Sequence, residues 1–109
     1  MIVGYSRAST TAGPAFTVSG AGTSSANGNY YLMGNDTNGN PYYKNANNIY
    51  IYWYPSEWCI GPTLGGAAPS QCYYYIGSGG SLANGPSVGT WIRSVTGGGS
   101  LPVPTVTVG

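Results

Sequence analysis

The sequence predicts an all-β protein: a small antiparallel sheet or a sandwich- or barrel-like domain with extended N- and C-terminal arms. Helix-forming residues are sparse, and the 19 glycines and 8 prolines together make up 27 of the 109 residues. Strand-forming residues come in short runs separated by turn residues, which is the pattern of a small antiparallel sheet. A chain of this length has room for one domain and one modest core.

Eight strands are predicted from these runs, at residues 16–19, 30–33, 42–44, 49–54, 57–60, 72–76, 90–95 and 103–108. Asn38-Gly39 lies between the second and third of them. Because Asn-Gly flanked by apolar runs is a strong hairpin signal, we expect these two strands to pair. Pro55-Ser56 is the predicted turn between the fourth and fifth strands.

The fourth predicted strand, IYIYWY, has two faces that differ in character. Ile49, Ile51 and Trp53 share one face by period-two alternation, and we expect that face to lie in the core. Trp58 and Trp91 are the other expected core anchors, since a buried aromatic ring removes about 150–250 Å² from water. The opposite face carries only tyrosines.

Two interpretations of the tyrosine-rich strands remain open. The first is ordinary cross-strand pairing and core packing. The second is an exposed strip for sugar stacking or protein contact, because tyrosine combines a flat apolar face with a hydroxyl. The residues assigned to this candidate aromatic surface are Tyr50, Tyr52, Tyr54, Tyr73 and Tyr75.

The predicted organisation is an N-terminal arm (1–15), a β domain (16–96), and a glycine hinge with a C-terminal strand (97–109). A strand behind a flexible hinge can complete its own sheet or add to a neighbour's. We expect the apolar residues of both ends to act as assembly arms that contact other copies or a particle surface. These residues are Ile2, Val3, Tyr5, Val103, Val106 and Val108.

The two cysteines, Cys59 and Cys72, leave two interpretations. Metal sites usually use four ligands from Cys, His or carboxylate, and this chain has no histidine and only two acids. We therefore expect no metal. A disulfide across a hairpin around 61–71 is the leading interpretation, and two free buried thiols are the alternative.

The composition of the chain predicts neither nucleic-acid binding nor membrane insertion. Charged residues make up 5% of the chain and the net charge is +1, so the array of Lys and Arg that binds a phosphate backbone is missing. No run of 18 apolar residues exists, so membrane insertion is not expected. The triplet Asn35-Asp36-Thr37 fits the N-glycosylation pattern, which would require a eukaryotic secretory origin.

Catalytic chemistry finds little support, and we expect neither an enzyme nor a cofactor. Nucleophilic catalysis needs a base beside a Ser, Cys or Thr, and no histidine is present. Glycoside hydrolysis needs two carboxylates about 5–10 Å apart. The only two acids, Asp36 and Glu57, lie where turn and strand-start residues are expected. The stretch Gly97-Gly98-Gly99 is followed by no Lys-Ser/Thr, so it fails the phosphate-loop motif.

The first fifteen residues lack an apolar stretch after a basic start, so no Sec signal peptide is predicted. A mature or engineered fragment would account for this in a protein of extracellular type. A virion protein that assembles in the host cytoplasm and leaves by lysis would account for it as well.

Most of the chain, roughly residues 16–109, resembles a small repeat module that occurs in phage virion proteins and bacterial surface proteins. The matching residues in order are Asn27-Gly28, Tyr30, Asn38-Gly39-Asn40-Pro41-Tyr42-Tyr43, Tyr50-Ile51-Tyr52-Trp53, Trp58 and Ile60. Trp91 and the Pro/Val tail before Gly109 fit the same outline. The resemblance implies a non-catalytic module on the exterior of a particle or cell, with no active-site residues to carry over.

The expected function is therefore a structural component of a phage virion: a capsid decoration protein, or a tail or fibre module. Its expected partners are other copies of itself and a shell or tail protein, and its expected location is the virion surface or the extracellular space. The alternatives are a carbohydrate-binding or adhesion module of a bacterial surface protein, with glycans as partners, and a filament-forming surface subunit.

Overall fold

Nine antiparallel strands form one sheet in the described part of the chain, which comprises residues 13–55, 57–67, 70–76, 86 and 88–109 of a computed structural model. The strands are β1 (Phe16–Ser19), β2 (Gly28–Asn35), β3 (Pro41–Lys44), β4 (Tyr50–Tyr54), β5 (Glu57–Gly61), β6 (Tyr74–Ile76), β7 (Gly89–Thr90), β8 (Ile92–Arg93) and β9 (Thr105–Val108). A single 3-10 turn, Ser24–Ala26, precedes β2. The prediction of an all-β, barrel-like fold is confirmed.

The two end strands of the sheet come close to each other because a single residue, Trp91, connects them. Its strand order is β7-β9-β1-β2-β3-β4-β5-β6-β8, so the two end strands are those that flank Trp91 in the chain. The Trp91 backbone N–H donates to the Pro104 carbonyl at 3.2 Å. The predicted strand over 90–95 therefore divides at Trp91, where the chain passes from one end of the sheet to the other.

The predicted hairpin of β2 and β3 is confirmed. Tyr31 pairs with Lys44 and Asn35 with Pro41, with a register shift between Leu32 and Gly34. The connecting turn uses Gly39 at φ +85°, a left-handed conformation that glycine adopts without steric cost. The turns of the β2–β3 and β4–β5 hairpins consequently lie at the same end of the sheet.

The main core lies inside the barrel and has the predicted face of β4 at its centre. Ile51 is fully buried opposite Ile60, and Trp53 pairs with Trp58 across the same two strands. Trp58 and Trp91 are fully buried, as predicted, whereas Trp53 is only partly buried. The other buried members of this cluster are Val18, Ala21, Ala26, Tyr30, Ile49, Tyr74 and Val106.

Buried polar groups in the barrel have specific partners, as burial away from water requires. The Tyr30 hydroxyl donates to the Ala26 carbonyl at 2.6 Å. The side chain of Asn45, 4% exposed, donates to the Ser25 carbonyl at 2.9 Å and accepts from the Ile49 N–H at 2.9 Å. Asn45 thereby ties the β3–β4 turn to the 3-10 turn.

The C-terminal segment is an interior strand of the chain's own sheet, which corrects the prediction of a C-terminal arm. β9 lies between β1 and β7, and Val106 opposes Val18 with both side chains buried. The predicted glycine hinge is a fixed turn, because the Gly99 N–H donates to the Ser94 carbonyl at 3.0 Å. A Cβ added at Gly99 would lie 2.0 Å from the Tyr73 carbonyl oxygen, so this position requires glycine.

Residues 1–12 of the predicted N-terminal arm lie outside the described residues. Close to the first described residue, the Ala15 N–H donates to the Tyr30 carbonyl, and the Ala15 carbonyl accepts from the Gly109 N–H at 2.9 Å. Ala15 is therefore bonded into the barrel beside the end of β9. Among the described residues, no helix is long and apolar enough to cross a membrane.

Candidate ligand-binding cleft and cysteine pair

A cleft of about 650 Å³ opens at the end of the sheet where the β2–β3 and β4–β5 turns meet. Its volume falls within the range of about 300–1,000 Å³ that is typical of small-molecule sites. The cleft draws on three separate segments of the chain. The lining residues are Asn35, Asp36, Thr37, Asn38, Tyr42, Trp53, Tyr54, Pro55, Leu64 and Gly65.

The polar wall of the cleft is shaped by Asp36. One oxygen of its carboxylate, Oδ1, accepts from the backbone N–H groups of Asn38 at 2.8 Å and Asn40 at 2.9 Å. The Asp36 N–H in turn donates to the Asn40 carbonyl at 2.8 Å. Asp is favoured in turns because its short side chain can bond to backbone two residues on. These bonds fix the β2–β3 turn.

The second wall is formed by a loop that folds back over the outer face of the sheet. The Tyr52 hydroxyl donates to the Gly66 carbonyl at 2.7 Å, and the Gly66 N–H donates to the Thr63 carbonyl at 3.0 Å. This anchoring places Leu64 and Gly65 opposite the β2–β3 turn. The loop thus covers Tyr52 and leaves the neighbouring Tyr54 at the cleft.

Three aromatic residues, Tyr42, Trp53 and Tyr54, line the cleft, and each is partly buried. Trp53 contacts Trp58 edge to face, with ring centroids 5.4 Å apart, and Tyr42 contacts Tyr50 at 6.2 Å. These ring contacts support Trp53 and Tyr42 from the protein side. The rings are consequently held in place before any ligand arrives.

Four of the five residues predicted to form an aromatic surface, Tyr50, Tyr52, Tyr54 and Tyr75, belong to one cluster, but they do not form an exposed strip. Tyr52 is fully buried and its hydroxyl is bonded to the covering loop. Burial is the main reason that the pKa of Tyr52 is raised above its ordinary value. Tyr73 packs against the main core, while Tyr50 and Tyr75 pack around Tyr52 in a second, smaller cluster. Only Tyr54 of the five predicted residues lines the cleft.

The two cysteines lie together in the second cluster, both fully buried and both in the thiol form. Cys72 packs directly on the backbone of β5, since a Cβ added at Gly61 would come within 2.9 Å of the Cys72 Cα. Hydrogen bonding to the Cys72 thiol and burial raise the pKa of Cys59. The hydrogen bond from Cys59 lowers the pKa of Cys72. The disulfide itself stays a prediction.

The predicted assembly residues are divided between different environments. Val106 is fully buried and Val103 is partly buried, whereas Val108 is 76% exposed. Ile2, Val3 and Tyr5 lie outside the described residues. Val106 and Val108 therefore belong to β9, the sheet's own ninth strand, and of the three C-terminal valines only Val108 is exposed.

Ionisable groups are sparse around the cleft. Asp36 is the only Asp, Glu, Lys or Arg among its lining residues. In the described part of the chain, no three His, Cys, Asp or Glu side chains come together as a metal site would require. Lys44 pairs with Tyr31 and Tyr50 at the end of β3 away from the β2–β3 turn.

Sequence reasoning missed the cleft because its parts are distant in the chain. The polar run 35–38 and the aromatic strand ends are visible in the sequence, and the shared end of the two hairpins follows from their order. Leu64 and Gly65 carry no such signal, because their position depends on the bond between Tyr52 and Gly66. No family model, curated protein or solved structure matches this chain.

Proposed function

We propose that this chain is a non-catalytic module on the exterior of a phage virion, either a capsid decoration protein or a tail or fibre component. The observation that carries the proposal is the self-contained barrel. Residues from Phe16 to Val108 form one sheet that nearly closes at Trp91. Such a unit can be displayed on a particle without borrowing structure from its neighbour.

Composition supports an exterior position. Only 5% of the residues are charged, and the polar residues are mainly Ser, Thr, Asn, Gly and tyrosine hydroxyls. The chain therefore lacks the charged patch that steers a protein to nucleic acid inside a particle. The order of aromatic and Asn-Gly motifs from Asn27 to Ile60 supports the same proposal through its resemblance to virion and surface modules.

The attachment device in this proposal is the N-terminal segment, which offers Ile2, Val3 and Tyr5 to the shell. The C-terminal strand does not serve this role, because Val106 is buried between β1 and β7. Contacts of the arm with a shell protein would use main-chain hydrogen bonds and apolar side chains, as in strand addition.

Truncation tests the proposal. Because Ala15 is bonded to Tyr30 and Gly109, the deletion should end at residue 12 to spare the barrel. The tagged full chain is produced in the cells in which the particles assemble, and the lysate of these cells is separated on a density gradient. We expect the full chain to sediment with particles, and the chain lacking residues 1–12 to stay at the top with an unchanged circular dichroism spectrum.

A point variant supplies the matched control. Leu101→Ser removes an apolar side chain that is 62% exposed but lies outside the arm, and it should sediment like the wild type. Replacement of Ile2, Val3 and Tyr5 by Ser should reproduce the deletion. A full chain absent from the particle fractions would contradict the virion location. A truncated chain at wild-type occupancy would contradict the attachment role alone.

A further inference from the structure

We infer that the cleft at the β2–β3 and β4–β5 turns is a binding site for a neutral oligosaccharide. This inference goes beyond the proposed virion role and does not depend on it. Three properties of the cleft carry it: unpaired hydroxyl and amide groups, supported aromatic faces, and a nearly uncharged lining.

The first property is a set of polar side chains with no partner inside the protein. Within the described residues, the side chains of Asn35, Thr37 and Asn38 form no hydrogen bond, and neither do the hydroxyls of Tyr42 and Tyr54. Amides and hydroxyls both donate and accept. A sugar hydroxyl also does both, so neighbouring ring hydroxyls match this lining better than an aliphatic ligand would.

The second property is the aromatic base of the cleft. A pyranose ring has apolar C–H faces, and it packs these faces on flat aromatic side chains while its hydroxyls bond at the rim. Tyr42 and Tyr54 lie on the outer face of the sheet and offer such rings beside the polar groups, while Trp53, which packs on Trp58 in the barrel, borders the cleft. Amphipathic aromatic rings lose little conformational entropy on binding. The contact of Tyr42 with Tyr50 reduces that loss further.

The third property is the charge. Asp36 is the only formally charged side chain in the lining, and its Oδ1 is already bonded to two backbone N–H groups. Its Oδ2 has only a 3.4 Å contact with the Asn40 amide, so it can accept from a ligand hydroxyl. No Lys or Arg is among the described residues that line the cleft, so a phosphate or carboxylate ligand would face this negative charge there, which favours a neutral ligand over a nucleotide or an acidic sugar.

The walls of the cleft are fixed before a ligand binds. The bonds of Asp36 to the turn and of Tyr52 to Gly66 hold the two sides. Preorganisation of this kind lowers the entropic cost of binding. The volume of the cleft, about 650 Å³, is within the usual range for ligand sites and suits a short stretch of a polysaccharide.

The test uses the purified full chain, labelled with ¹⁵N, and four separate probes. The neutral saccharide probes are maltohexaose, cellohexaose and hexa-N-acetylchitohexaose, and the anionic probe is ATP. We expect at least one hexasaccharide to produce saturable amide shifts at residues 35–40, 42, 53, 54, 64 and 65. ATP should produce none there. If no hexasaccharide shifts these amides, or if ATP shifts them, the inference is wrong.

Two variants separate binding from folding. Asn38→Ala removes a side-chain amide but keeps the backbone N–H that bonds to Asp36, and Tyr54→Ala removes one ring of the base. Each should raise the dissociation constant at least tenfold with the thermal midpoint of Asn38→Ala unchanged. Tyr31→Ala, an exposed tyrosine outside the cleft, is the control and should bind as the wild type does.

A proline-rich hexapeptide serves as the competing ligand class. Aromatic clefts can also take extended peptides, so the peptide is titrated under the same conditions. Tighter binding of the peptide than of every hexasaccharide at the same amides would overturn the assignment. An unchanged dissociation constant in both Asn38→Ala and Tyr54→Ala would overturn it as well.

Discussion

The two faces of β4 both carry bulky side chains, isoleucine and tryptophan on one and tyrosines on the other, but have different surroundings. The inner face, with Ile51 and Trp53, packs in the barrel together with Trp58 and Ile60 from the partner strand. The outer face depends on a single loop, which covers Tyr52 and leaves Tyr54 at the cleft. Period-two alternation assigns a residue to a face, but a non-local loop decides whether that face is buried.

The largest effect is expected on the inner face, at Trp58. Trp58→Ala should lower the free energy of unfolding by about 3–5 kcal/mol, a large share of the stability of a small domain. Trp53→Ala should cost less, because Trp53 is only partly buried. Urea denaturation followed by far-ultraviolet circular dichroism measures both. Equal costs for the two variants would contradict the structural difference between them.

The second prediction concerns the outer cluster, where oxidation of Cys59 and Cys72 should stabilise the protein. A bridge between them closes a loop of about 14 residues and contributes about 3 kcal/mol. Without reductant, the intact mass should be two hydrogens below that of the reduced chain. Cys72→Ser, which cannot form the bridge, is the control and should show no stability difference with and without reductant. Retention of both hydrogens in the wild type would refute the prediction.

The third prediction tests the loop that covers the outer face. Tyr52→Phe removes the bond to Gly66 and should cost about 1–2 kcal/mol at pH 7, because the carbonyl loses a buried donor. Burial raises the folded-state pKa of Tyr52 above the unfolded value of about 10. Its contribution is thus complete below pH 10 and decreases as the pH rises further.

The same variant therefore has a pH signature. The stability difference between the wild type and Tyr52→Phe should narrow above pH 10, since phenylalanine cannot ionise in the unfolded chain. Denaturant midpoints measured from pH 7 to pH 11 provide the comparison. A difference that stays constant over this range would be inconsistent with a buried, neutral Tyr52 hydroxyl.

The smallest effect on stability is expected at Tyr54, two residues after Tyr52 on the outer face of β4. The Tyr54 hydroxyl has no hydrogen-bond partner within the described residues, so Tyr54→Phe should change the free energy of unfolding by no more than about 0.5 kcal/mol. Differential scanning calorimetry of Tyr52→Phe and Tyr54→Phe side by side makes the comparison direct. A loss at Tyr54 as large as that at Tyr52 would mean that the loop covers both.

The strands could be predicted from the sequence because their signals are local. Seven of the eight predicted runs each overlap one strand of the sheet, the run 90–95 divides into two strands, and Asn38-Gly39 identified the β2–β3 hairpin. The C-terminal strand shows the limit of such signals. Alternation at 105–108 indicated a strand, but nothing local indicated that it would lie between β1 and β7.

The glycines before β9 and the cleft escaped prediction for related reasons. Three consecutive glycines resemble a linker, yet Gly99 is glycine because the Tyr73 carbonyl lies where a Cβ would be. Asp36 was predicted to be a turn former, and it is one. Its proximity to Tyr54 and Leu64 arises only when the hairpins and the covering loop come together.

The junction at Trp91 affects how copies of this protein interact when they are crowded together. A sheet with a long free edge can recruit a strand from another molecule and aggregate. Here β7 and β8, the end strands of the described sheet, are each two residues long and share Trp91 between them. These end strands therefore present few unpaired backbone groups with which a strand of another chain could pair. Many copies held side by side at high local concentration can therefore touch through their side chains while each sheet stays separate.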